Sequence, residues 1–76
     1  MEREISEARK NFAKRLKELR KKKKWTQQEL SDQAKIHVRH IQRLESFKKT
    51  SAIELDSIIK LAKAFKITPS DLLYSL

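Results

Sequence analysis

Trp25-Thr-Gln-Gln-Glu-Leu30-Ser-Asp-Gln-Ala34-Lys-Ile-His-Val-Arg-His40-Ile-Gln-Arg-Leu-Glu45 is the stretch on which the reading of this chain turns. Thr26-Gln27-Gln28-Glu29 has capping-box spacing, in which the Thr26 hydroxyl and the Glu29 carboxylate each satisfy the other's free backbone amide, so a helix starts there. Leu30 and Ala34 form the inner face of that short helix. Lys35 to His37 separate it from a second helix that holds Ile41 and Leu44 on one face, introduced by Ile36. The outward positions of the second are Val38, Arg39, His40, Gln42 and Arg43. A helix fits the major groove of duplex DNA, where Arg and Gln can read guanine and adenine edges. The residue types therefore suit a DNA-reading pair of helices, although any short exposed helix in a basic protein could carry two Arg and a Gln.

Helical periodicity continues on both sides. Phe12, Leu16 and Leu19 fall at i, i+4 and i+7 and predict a first helix over about residues 7 to 23, with Ser6 as its N-cap. Trp25 follows as an apolar plug at the helix exit. Phe47 to Ile53 break the pattern and read as a loop. Leu55, Ile58, Ile59, Ala62 and Phe65 give a fourth helix, although Ser51-Ala-Ile-Glu54 also has capping-box spacing and would start it near Ala52. Thr68-Pro-Ser-Asp71 opens a fifth, with Thr68 as N-cap and Pro69 at the first helical position. Strand alternation is found nowhere. The expectation is an all-α fold, a compact bundle of about five short helices in a single domain over 1–76, with 1–8 as an N-terminal extension.

Composition narrows the function. The chain has 76 residues, with 19 Lys+Arg against 10 Asp+Glu, a formal net charge of +9 that points to a polyanionic partner. The charge is uneven: Arg9 to Lys24 hold ten Lys or Arg and one acid, Glu18, whereas Ala52 to Leu76 carry three of each sign. Lys21 to Lys24 also read as a solvated helix end, where cations complement the dipole. The chain has no cysteine, which removes disulfides, zinc knuckles and thiol catalysis, and no glycine, which removes a Gly-rich phosphate loop. No apolar run is long enough for a membrane span or a signal-peptide core, and the lack of cysteine leans toward a cytoplasmic protein.

The helix pair closely resembles that of the Cro/C1 (XRE) family of phage repressors and bacterial regulators, in Trp25 to Leu30, Ala34, Ile36 and Ile41-Gln-Arg-Leu-Glu45. Ile59-Lys-Leu-Ala-Lys-Ala-Phe65 and Ile67-Thr-Pro-Ser-Asp-Leu72-Leu73 are similar to the family's fourth and fifth helices, so the likeness spans about residues 9 to 73. It implies a lambda-repressor-like fold and sequence-specific binding of double-stranded DNA by a bacterial or phage-encoded regulator. Residue by residue, it implies that Thr26 and Gln27 touch the phosphate backbone. His37, Val38, Arg39 and Arg43 match positions that face bases, with His40 and Gln42 flanking them. Ser46, Lys48 and Lys49 match backbone-contacting positions, and Arg20 and Glu45 match a salt-bridged pair beside the DNA. Three departures stand out. Lys35 replaces the family's usual turn glycine, at a cost on the order of 1 kcal/mol if the backbone is still left-handed there. Phe47 replaces the usual glycine after the recognition helix. The following loop is about two residues longer than is common, which favours a fourth helix starting at Leu55.

Rival readings are weaker. His37 and His40 lie one helical turn apart, but no third ligand accompanies them, so no metal or cofactor is expected. Asp56 and Asp71 sit where helix capping explains them, and no nucleophile and base can be paired, so no enzyme is expected. An antitoxin that binds a protein partner and its own operator is the main alternative. An interfacial helix on anionic lipid is a third, but Phe12, Leu16 and Leu19 are needed to close a small core. One helix reads only a few base pairs, so a homodimer on two half-sites is expected. Its candidate interface is Ile67, Leu72, Leu73, Tyr74 and Leu76 in segment 66–76; alternatively Leu72 and Leu73 close the monomer core. No small-molecule ligand is expected, and control would then work through protein concentration, as in the short controller proteins of restriction–modification systems.

Overall fold

The computed structural model describes residues 2–46 and 54–73, with side chains from residue 7 onward. Five helices run in order: α1 (Glu2–Lys22), α2 (Gln27–Ala34), α3 (Val38–Glu45), α4 (Leu55–Phe65) and α5 (Pro69–Leu73). No strand occurs among the described residues. The all-α expectation holds.

One boundary is corrected. The first helix begins at Glu2, so Ser6 lies inside it rather than capping it. Glu2, Arg3 and Glu4 are good helix formers, and acids in a first turn complement the helix dipole, so nothing stops the helix at Ser6. The fourth helix does start at Leu55. Glu54 before it is extended, at φ −83° and ψ 145°, which excludes a start near Ala52.

Each helix gives one face to a common core. Phe12 and Leu16 from α1, Leu30 and Ala34 from α2, and Ile41 and Leu44 from α3 are buried there. Ile58, Leu61, Ala62 and Phe65 from α4 and Leu72 from α5 complete it, with Ile36 entering from the α2–α3 turn. Trp25 packs against this core and stacks on Phe65, ring centroids 5.7 Å apart, so the plug at the α1 exit is real. Apolar burial of this kind, about 25 cal/mol per Å², is the main force holding so small a domain together.

Three helix exits share one device. Lys24, Lys35 and Lys66 adopt left-handed backbone, with φ of 60°, 57° and 59°. In each case the next residue's amide reaches back five positions: Trp25 to Arg20, Ile36 to Ser31 and Ile67 to Ala62. This is the Schellman closure, in which an apolar residue after the left-handed one returns to the helix it has just left. Trp25, Ile36 and Ile67 all meet the core. That packing holds lysine where glycine would be comfortable.

Candidate nucleic-acid interface

The site is built on α2 and α3. The α2 capping box forms as its spacing predicts: the Glu29 amide donates to Thr26 Oγ1 at 3.1 Å, and the Thr26 amide donates to Glu29 Oε1 at 3.0 Å. After α2 the chain turns at Lys35, and the Ser31 hydroxyl donates to the Ile36 carbonyl, fixing the approach to α3. His37 caps α3, its Nδ1 accepting from the Arg39 amide at 3.1 Å. That role places the proton of the neutral ring on Nε2, which is left as a donor. Ser46 closes the other end, its hydroxyl donating to the Arg43 carbonyl.

With Ile41 and Leu44 buried, the helical period turns Arg39, Gln42 and Arg43 outward. Together with Ser46 these three line a shallow open concavity. No hydrogen bond or ion pair holds the side chains of Arg39, Gln42 and Arg43 to other described residues, so their donors face solvent.

An ionic knot anchors this face to the rest of the domain. Arg20 grips Glu45 with two hydrogen bonds, Nε to Oε2 at 2.7 Å and Nη2 to Oε1 at 3.0 Å. Its third nitrogen, Nη1, donates to the Trp25 carbonyl at 2.8 Å. The Gln27 amide nitrogen adds a bond to Glu45 Oε1 at 3.2 Å. The Glu45 side chain is 2% exposed and that of Arg20 11%, so water screens the pair little. One guanidinium thus locks α1, the α1–α2 turn and the end of α3 together.

The sequence-predicted residues divide accordingly. Thr26, His37, Arg39, Gln42, Arg43 and Ser46 lie exposed, and Gln27 and Val38 lie half-buried beside them. His40 is corrected: its ring does not face outward with the arginines, because Nε2 lies 3.0 Å from Ser57 Oγ on α4. That bond makes it a strut between α3 and α4. Lys48 and Lys49 fall outside the described residues, as do Tyr74 and Leu76. Leu72 is fully buried and offers no surface to a second copy, Ile67 packs against the core but stays partly exposed, and Leu73 is exposed. Sequence reasoning used Leu55 and Ile59 only as part of the apolar pattern of α4 and missed that they are 69% and 37% exposed. Their i, i+4 spacing was the available signal, since α4 holds more apolar residues than one face can bury.

The fold and this face define a helix-turn-helix DNA-binding domain. A family model of helix-turn-helix regulators of the Cro/C1 (XRE) type matches residues 16–72, and the chain belongs to that family. It is a DNA-binding transcription regulator. Comparison with curated proteins and with solved structures found no match. Among the described residues no helix is long and apolar enough to cross a membrane.

Proposed function

We propose that the protein reads a specific palindromic operator as a homodimer, with α3 in the major groove and Arg39 and Arg43 selecting guanines. The observation that carries this is the exposed cluster of Arg39, Gln42 and Arg43, aimed into solvent from a helix whose opposite face is locked in the core. A bidentate Arg–guanine contact needs a free planar fork on a fixed helix, which both arginines supply. Val38, which cannot hydrogen-bond, suits a thymine methyl beside that guanine. Thr26, Gln27 and Ser46 flank the cluster and would hold phosphates, with Lys48 and Lys49 proposed for the same task.

The dimer rests on size and surface. The domain measures 34 × 25 × 21 Å, so two copies meeting end to end along its long axis would set equivalent helices one DNA turn, about 34 Å, apart. Exposed large apolar side chains among the described residues, Leu55, Ile59 and Leu73, lie on α4 and α5 and not on the reading helix. We assign the two-fold contact to that surface, with Leu72 left to the core. The same apolar side chains would serve the antitoxin alternative, in which a different protein covers them.

Selection of bound sequences from a random duplex pool tests the proposal. One enriched palindrome, bound by two protomers in sedimentation, is expected. Enrichment of a single half-site by a monomer would remove the dimer, and no enrichment at all would remove specific reading. Association with a second protein in place of self-association would favour the antitoxin reading.

A further inference from the structure

Lys10, Lys14, Lys17 and Lys21 recur along α1 at intervals of four, three and four residues, the spacing of one helix face, and all four are exposed. The proposed reading makes no use of them. Their position follows from helix geometry. At 3.6 residues per turn, the buried side of α1 runs through Phe12, Leu16 and Ala13, with Arg20 between the last two, and the four lysines lie about 40–100° beyond Ala13, away from the core. On α3 the buried side runs through Leu44, Ile41 and Glu45, and Gln42, Ser46, Arg39 and Arg43 lie about 60–160° beyond Glu45. Arg20 and Glu45 touch, so they form the seam between α1 and α3. The core lies on one side of that seam. The lysine row and the reading cluster therefore border the same open surface on the other side.

We infer that this row is a second, sequence-independent contact for DNA, a rail that follows the sugar–phosphate backbone outward from the base pairs α3 reads. The inference rests on the DNA reading above and adds to it a partner surface that the helix-turn-helix does not contain. The helical row from Lys10 to Lys21 is about 16 Å long at 1.5 Å per residue, matching about five phosphates along one strand at 3.4 Å of axial rise each. No ion pair with a described carboxylate ties up these four ammonium groups, so bound counterions are what they would exchange. The Arg20–Glu45 knot keeps the rail in fixed register with the reading helix. Lysine suits the task, because a point charge on a flexible stem accepts any phosphate within reach.

The test compares two triple variants of equal charge. Lys14→Gln/Lys17→Gln/Lys21→Gln removes three charges from the rail. Lys22→Gln/Lys60→Gln/Lys63→Gln removes three exposed charges from the opposite flank of α1 and from α4, which packs on α2 and α5. Glutamine preserves helix propensity, and circular dichroism checks that both variants fold. Each is titrated against a 24-base-pair duplex of arbitrary sequence over a range of salt concentrations. The rail variant is expected to lower the slope of log affinity against log salt by about 2–3, at roughly 0.9 per phosphate contact, with the control near wild type. Equal slopes for the two variants would overturn the rail, whether both fall or neither does. Loss of binding to phosphatidylserine vesicles by the rail variant, with duplex binding unchanged, would overturn it in favour of a lipid surface. Failure of the underlying reading looks different: pool selection enriches no motif, or Arg39→Ala/Arg43→Ala leaves the enriched motif unchanged, while the rail's salt slope is unaffected. Should the wild type bind no duplex, both are overturned together.

Discussion

Helices α3 and α4 are both amphipathic, both bury one face in the same core, and both expose the other, yet their exposed faces have opposite chemistry. That of α3 carries Arg39, Gln42 and Arg43, side chains rich in donors. That of α4 carries Leu55 and Ile59 beside Lys60 and Lys63. Apolar side chains left in water gain by being covered, whereas free guanidinium forks gain only from a partner that offers acceptors. The difference suits two tasks on neighbouring helices: α3, as proposed, for nucleic acid, and α4 for another protein surface.

The largest way to break this comparison is to remove the inner faces that both helices share. Ile41→Ala on α3 and Leu61→Ala on α4, each at a fully buried position, should cost about 3 kcal/mol apiece in urea unfolding. A much smaller loss at either would show that its helix is not held by the common core. Next comes the knot. Arg20→Ala leaves the Glu45 carboxylate without its two charged hydrogen bonds and should cost about 2 kcal/mol, below the full penalty for a deeply buried pair because the arginine keeps some solvent. The same variant should weaken operator binding, as α3 loses its tie to α1.

The outer faces sharpen the contrast at lower energies. Arg39→Ala or Arg43→Ala should each remove about 1–3 kcal/mol of base discrimination at one position per half-site, read by titration against singly substituted operators. If affinity for operator and arbitrary duplex falls in parallel with base preference kept, those arginines hold phosphates instead. Lys35→Gly, which relieves left-handed backbone at the α2 exit, should stabilise the domain by about 1 kcal/mol in thermal unfolding. Leu55→Ser/Ile59→Ser should change monomer stability by less than about 0.5 kcal/mol per site and yet weaken self-association in sedimentation. Unchanged self-association would free α4 from the dimer role.

How much of this was legible depended on how local the physics is. The Thr26–Glu29 box, the α2–α3 turn and the Pro69 start of α5 are decided within four residues, and sequence spacing finds them. The buried apolar members of α2 and α3 were equally plain, because each helix has only enough apolar residues for one face. Helix α4 has more, and which of Leu55, Ile58 and Ile59 is covered depends on where α2 and α5 dock, which spacing does not encode. His40 failed for a different reason: four residues before buried Leu44, it already sits by period at the margin of the core face, although the Ser57 hydroxyl it meets is contributed by a separate helix. Ser6 failed because a good N-cap residue is also tolerated inside a helix when its neighbours continue it. The Arg20–Glu45 pair was reached only through family resemblance, since 25 residues of sequence separate its members.

The three left-handed lysines have a consequence for how the protein can change over generations. A chain without glycine has fewer disordered conformations to give up on folding, which offsets part of the strain at Lys24, Lys35 and Lys66. Substituting glycine at all three would relax the helix exits and, in the same step, remove three positive charges, taking the formal net charge from +9 to +6. Heat resistance and long-range attraction for a polyanion are therefore coupled through the same three codons. Selection for a hardier domain at these positions would be selection for a slower search along DNA.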